Sequence, residues 1–167
     1  MAMPPLSLKG RALRLLSGRE HSRAELERKL APHAQEPGEL ARVLDDLQAK
    51  GFISAARVVE SVVHRRASRL GASRIRQELQ QKGLEPALIR EAVLGLQATE
   101  LERARSVWRK KFGGGRTSQA DLLQPAGPEE RARQVRFLAA RGFGGETIRR
   151  VVSGTGDDDM AGGADTD

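Results

Sequence analysis

The chain has 167 residues, no cysteine, and 29 Lys and Arg against 22 Asp and Glu, a formal net charge of +7. The missing cysteine excludes a disulfide framework and a thiol-ligated metal site, and no apolar run approaches the ~20 residues needed to span a bilayer. The opening MAMPPLSLKGRALRLLSG has no apolar stretch of a signal peptide, so a soluble cytoplasmic protein is expected.

Aromatics make up 3% of the residues, there is no Tyr, and alternating apolar runs are missing. Apolar residues instead recur at helical spacing, which predicts an all-α protein. A first helix holds Ala12, Leu13, Leu15 and Leu16, and the turn Ser17–His21 ends it. Ser22 with Glu25 three residues on is a capping box, opening a second helix with Leu26 and Leu30 inward and Pro32 as its stop. Pro37 is expected in the first turn of a third helix, where its missing N–H costs nothing. Leu40, Val43, Leu44 and Leu47 are that helix's stripe, and Gly51 its C-terminal glycine.

Ala55 begins a second module. Val58 and Val62, with Val59 and Val63, share one face of its first helix. Gly71 breaks that helix and Ser73 is expected to cap the next, which carries Ile75 and Leu79 and ends at Lys82-Gly83. Pro86 opens the helix of Ile89, Val93 and Leu96. A third module starts near Glu100 with Leu101, Ala104, Val107 and Trp108, ending in Arg109-Lys110-Lys111-Phe112. GGGRTSQADLLQPAG (113–127) reads as a flexible connection. Pro128 then opens a helix with Val135 and Leu138 expected inward. Arg141-Gly142-Phe143-Gly144 is a turn, and Ile148, Val151 and Val152 finish the array. The tail 154–167 is small, acidic and poor in apolar residues, hence expected to be disordered.

The modules are copies. Moving residues 12–47 by 49 positions lays Leu26 on Ile75, Leu30 on Leu79, Leu40 on Ile89, Leu44 on Val93, and Glu36-Pro37 on Glu85-Pro86. A degraded third copy follows at a shift of 59, with Leu79 on Leu138, Gly83 on Gly142, Leu84 on Phe143 and Ile89 on Ile148. Modules two and three share a [KR]-G-[LF] turn. A repeat of this length is a supersecondary unit that buries its apolar face against its neighbours. The expected architecture is therefore an elongated tandem array of three three-helix repeats, residues 8–53, 54–98 and 99–153. Each is near the size where a lone core is marginal.

Catalytic constellations are absent from the pattern. His21, His33 and His64 are scattered and read as solvated surface residues without metal-ligand spacing. Gly113-Gly114-Gly115-Arg116-Thr117 lacks the spacing of a phosphate loop. Asp45-Asp46 and Asp157–Asp159 have no base or nucleophile nearby. No enzyme activity is expected. A helix–turn–helix reader of duplex DNA is disfavoured as well. The helix ALIREAVLGL (87–96) has only Arg90 and Glu91 to present, which is no polar recognition face.

Charge is the remaining signal. Residues 1–54 carry +2, 55–99 carry +4 and 100–153 carry +6, while the tail adds five Asp and no base. A basic body of this kind attracts polyanions or acidic protein surfaces. The candidate contact residues are Arg65, Arg69, Arg74, Arg76, Arg109, Lys110, Lys111, Arg133, Arg136 and Arg141. The ordinary alternative for any one cluster is a solvated helix face. Trp108, Phe112, Phe137 and Phe143 read as core rather than as platforms for bases.

Four strings, SGREHSRAELERKL (17–30), LQAKGFIS (47–54), RLGASRIRQELQQKG (69–83) and FLAARGFGGETIRRVV (137–152), occur in an order and spacing that resembles the RecX regulatory proteins of bacteria over about residues 8–153. The chain departs from that pattern after the Gly-Phe turn. There the family commonly has acidic residues and then an aromatic, whereas this sequence reads Ser54-Ala55-Ala56-Arg57-Val58. The resemblance implies a regulator, mainly an inhibitor, of the RecA recombinase, acting on its filament on single-stranded DNA. It implies no cofactor, no membrane association and action as a monomer. Two other readings follow from charge alone: a general nucleic-acid-binding module, or a helical scaffold for another acidic partner.

Overall fold

The computed structural model describes residues 6–113 and 127–154. The expected connection at 113–127 and the acidic tail lie, apart from their edge residues, outside the described residues. Among the described residues nine α-helices follow one another and no strand occurs. They are α1 (Leu8–Gly18), α2 (Arg23–Leu30) with a 3-10 turn at Ala31–His33, α3 (Glu39–Ala49), α4 (Ala55–Arg66), α5 (Ala72–Gln81), α6 (Pro86–Ala98), α7 (Glu100–Phe112), α8 (Pro128–Ala140) and α9 (Gly145–Ser153).

Packing groups the chain into two compact units. Unit 1 comprises Met1–Arg65 and Gln77–Ala92, and unit 2 comprises Arg66–Arg76 and Val93–Asp167. The boundary between these units runs through α4, α5 and α6.

In unit 1 the helices α1, α2 and α3 close around Leu8, Ala12, Leu26, Leu30, Leu44, Leu47 and Ile53. The stripes read from the sequence are the ones that bury: Leu26, Leu30, Leu44 and Leu47 are each at most 1% exposed, and a leucine so placed is worth about 2 kcal/mol of transfer free energy. The capping box forms as expected. Ser22 Oγ accepts from the Glu25 N–H at 3.2 Å, and Glu25 Oε2 accepts from the Ser22 N–H at 2.9 Å. In unit 2, α7, α8 and α9 close around Ala104, Val107, Leu138, Phe143, Ile148 and Val151.

Three expectations need correcting. Pro37 lies in a turn ahead of α3 and does not open it, because the next residue, Gly38, takes φ 78° and caps the helix in the left-handed region. Its repeat partner Pro86, followed by Ala87, does open α6. Ser73 is not a cap: it lies inside α5, and its hydroxyl donates to the Gly142 carbonyl at 2.8 Å. Val135 faces outward at 40% exposure. The buried position on α8 belongs to Gln134, whose Oε1 accepts the Trp108 indole N–H at 3.0 Å, so a polar side chain with a partner takes the inward place.

Candidate functional site

Three helices end in the same way, at Lys50-Gly51-Phe52, Lys82-Gly83-Leu84 and Arg141-Gly142-Phe143. Each glycine has positive φ (75°, 69° and 82°). The residue after it donates its N–H to the carbonyl five residues back: Phe52 to Leu47, Leu84 to Leu79 and Phe143 to Leu138. This is the glycine-terminated helix end that satisfies otherwise orphaned carbonyls.

Two of these turns receive the start of another helix. In unit 1 the start of α2 sits on the Lys82-Gly83 turn, with Ser22 Oγ donating to the Lys82 carbonyl. A Cβ at Gly83 would lie 2.8 Å from Ala24 Cβ. In unit 2 the start of α5 sits on the Arg141-Gly142 turn. The Gly71 N–H donates to the Arg141 carbonyl at 2.8 Å, and the Ser73 N–H and hydroxyl both go to the Gly142 carbonyl. A Cβ at Gly142 would lie 2.6 Å from Ser73 Oγ. Ser73 is the repeat partner of Ala24, so the two joints share one geometry.

The polar groups that fasten the joints differ. In unit 1, Lys82 Nζ and Arg19 Nη2 reach Glu25 Oε1 at 2.9 and 3.0 Å. Burial pushes the Glu25 carboxyl up, but hydrogen bonds from the Ser22 backbone, Lys82 and Arg19 outweigh it and hold the group at about 2. In unit 2 the carboxylate is Glu100, at the start of α7 and 9% exposed. It accepts from the Ala72 N–H (3.0 Å), the Gly144 N–H (3.4 Å) and Thr147 Oγ1 (3.2 Å). One turn along α7, the Arg103 guanidinium donates to the carbonyls of Ala67, Leu70 and Leu96, and burial lowers its pKa. Sequence reasoning missed Glu100, Arg103 and the Lys82 end of the ion pair. Apart from the Arg103 bond to Leu96, seven residues back, their partners stand 28 to 57 residues away, and no local spacing marks such pairs.

The sequence-predicted contact residues fall unevenly. Arg65 belongs to unit 1, where its Nε donates within α4 to Ser61 O. The other nine belong to unit 2. Arg109, Lys110 and Lys111 are exposed in the last turn of α7, where the helix dipole favours cations. Phe112, Trp108 and Phe137 join α7 to α8, with Phe112 edge-on to Phe137 at 5.1 Å and 6.2 Å from Trp108. The Arg133 guanidinium lies 5.9 Å from the Phe112 ring, and that of Arg141 lies 3.6 Å from the Phe137 ring. These aromatics therefore position cations. Arg69, Arg74, Arg76, Arg133 and Arg136 are exposed, while Arg141 is half-buried. Arg74 Nε also donates to Ala140 O at 3.2 Å, so Arg74 and the end of α8 share one neighbourhood. The described residues of unit 2 hold 15 Lys and Arg against 5 Asp and Glu, a net +10, whereas unit 1 holds 13 against 11, a net +2.

His21 is buried, not solvated. It is 3% exposed with Nδ1 3.0 Å from the Arg19 carbonyl, and burial lowers its pKa. On α6, Leu94 is 67% exposed beside Arg90 and Glu91, which makes that face still less polar than expected. At the departure from the family pattern, Ser54 Oγ accepts from the Arg57 N–H, and Arg57 donates to the Gly51 and Phe52 carbonyls and pairs with Glu20 at 2.8 Å. Among the described residues no group of His, Asp and Glu could hold a metal ion, and no helix is long and apolar enough to cross a membrane.

Short helices packed around glycine turns, with the geometry of one joint repeated in the second unit, define an all-helical repeat protein. Models of the RecX first, second and third three-helix domains match residues 9–52, 56–93 and 98–152. Regulatory protein RecX of Leptothrix cholodnii is 56% identical over 89% of this chain and 89% of its own length. That of Ralstonia nicotianae is 49% identical over 92% of each. The crystal structure of RecX from Lactobacillus salivarius superimposes with a TM-score of 0.67 at 19% identity, covering 88% of this chain and 93% of the other, a likeness of fold. The chain belongs to the RecX family of regulatory proteins.

Proposed function

We propose that this protein regulates the RecA recombinase, chiefly as an inhibitor, by binding the RecA–single-stranded DNA filament in the cytoplasm, and that it thereby acts in recombination, DNA repair and the SOS response. Family membership supports RecA as the partner. The observation that carries the mode of binding is the charge split, +10 on the described part of unit 2 against +2 on unit 1. Lysines and arginines at the end of α7 and along α8 offer exposed donors to DNA phosphates or acidic protein surface. We take the three modules, residues 8–53, 54–98 and 99–153, as successive contact steps of a monomer along a polymer of repeating subunits. No cofactor enters this reading.

Titration of the protein into RecA with single-stranded DNA tests it. Substoichiometric amounts are expected to lower the DNA-dependent ATPase and strand exchange, and no effect at any ratio contradicts it. The surplus charge of unit 2 also favours a second reading, direct nucleic-acid binding without RecA. That reading requires tight binding to DNA alone, weakening steeply with salt. It fails if DNA stays free at low salt while the recombinase is still slowed.

A further inference from the structure

Unit 1 carries a second basic feature that its small net charge conceals. The exposed face of α1 and the end of α2 enclose an open cavity of about 640 Å³, within the usual range of ligand clefts. Arg11, Arg14, Arg19 and Lys29 line it, and no acidic residue does. Its apolar lining is Leu6, exposed at 48%, Leu15 and the buried Leu30. Arg11 and Arg14 stand three residues apart on α1, so both project to the same side. Arg19 is partly neutralised by Glu25, and Arg11 spends its Nε on the Leu6 carbonyl. Arg14 and Lys29 are exposed, with no acidic partner among the described residues. Gly18 lines the cleft as well, and a Cβ there would meet nothing within 4 Å.

We propose that this cleft is a docking site for an acidic peptide segment carrying leucine-like side chains, distinct from the basic surface of unit 2. Charge complementarity selects the occupant. Arg14 and Lys29, exposed beside leucine side chains, suit a ligand that brings carboxylates and apolar side chains together. Single-stranded nucleic acid fits less well, since base stacking needs aromatic rings. None of the chain's four Phe and one Trp lines this cleft. The proposal does not depend on the identity of the recombinase partner.

The test uses the full chain and two fluorescent probes, a Glu-rich peptide with spaced leucines and an oligo(dT) strand, titrated at fixed ionic strength. Saturable peptide binding is expected. It should weaken by at least about tenfold in Arg14→Glu/Lys29→Glu and in Gly18→Glu, which sets a carboxylate in open space in the cleft. Arg109→Glu/Lys110→Glu/Lys111→Glu should leave it within about twofold. The milder Arg14→Gln/Lys29→Gln serves if charge reversal lowers the melting temperature, and the same direction of change is expected. Three results overturn the proposal: no peptide binding; peptide binding lost only with the α7 reversal; or oligo(dT) rather than peptide displaced by the cleft variants.

Discussion

The joint in unit 1 and the joint in unit 2 place a helix start on a glycine turn in the same way, yet they are fastened by different chemistry. In unit 1 the docking helix brings its own carboxylate, Glu25, which meets Lys82 across the joint. The repeat partners of those two residues in unit 2 are Arg74 and Arg141, both cations. Gly71 stands where Ser22 stood, and the carboxylate comes instead from Glu100 on another helix. The backbone geometry persisted while the polar groups were exchanged. One consequence is electrostatic: an ion pair in the first joint becomes two positive charges at the second, which feeds the surplus of unit 2. The comparison teaches that the shape of a repeat interface, set by glycines whose Cβ positions are already occupied, is compatible with more than one arrangement of charge.

Substitutions that fill the shared shape should be the most damaging. A Cβ at Gly71 would sit 2.2 Å from the Gly142 carbonyl oxygen and 2.4 Å from the Phe143 nitrogen, both backbone atoms. Gly71→Ala is expected to destabilise unit 2 by about 3 kcal/mol or more, read as a lower urea midpoint. An unchanged midpoint would mean that the joint is not closely packed.

Next comes the chemistry peculiar to unit 1. Glu25→Ala strips Lys82 of its buried partner and leaves the Ser22 N–H unpaired, a loss of about 3 kcal/mol. Lys82→Met on top should restore part of it. Protonation removes the Glu25 charge that holds Lys82 and Arg19, while its oxygens can still accept from the Ser22 N–H. Its folded pKa of about 2 lies below the ordinary 4.5, so its contribution is full above pH 4.5 and is lost as pH falls from there toward 2. The acid side of the stability profile should flatten in Glu25→Gln. A profile identical to that of the native chain would refute the pair's role.

The smallest effect separates shape from conformation. Gly83 and Gly51 share positive φ, but only Gly83 faces a neighbour, Ala24 Cβ at 2.8 Å, while nothing lies within 4 Å of a Cβ at Gly51. Gly51→Ala should cost about 1 kcal/mol, the backbone penalty alone, and Gly83→Ala clearly more. Equal costs would show that docking adds nothing at the glycine.

The repeat, the helical stripes and the capping box of Ser22 and Glu25 were legible because each is a local pattern with a period or a fixed offset. Arg109, Lys110 and Lys111 could be read as an exposed run because a helix end shows its last turn. Val135 misled because two neighbouring residues competed for the inward place on α8, and Trp108 supplied the partner that settled it for Gln134. Pro37 misled because the glycine after it, not the proline, decides where α3 begins. Glu100 and the Glu25–Lys82 pair were out of reach because their partners meet only after the chain has folded back. The division into +2 and +10 units was hidden for the same reason, since it cuts through helices that the repeat keeps whole.

The most direct test sets the two units against each other in one assay, inhibition of the single-stranded-DNA-dependent ATPase of RecA at fixed salt. Arg109→Glu/Lys110→Glu/Lys111→Glu in unit 2 is compared with Arg42→Glu/Arg90→Glu in unit 1, all of them exposed positions. The unit 2 reversal should raise the amount of protein needed for half-inhibition by about tenfold or more, with the unit 1 reversal close to the native chain. Equal loss from both, or none from the α7 reversal, would contradict the claim that the basic face of unit 2 carries the regulation.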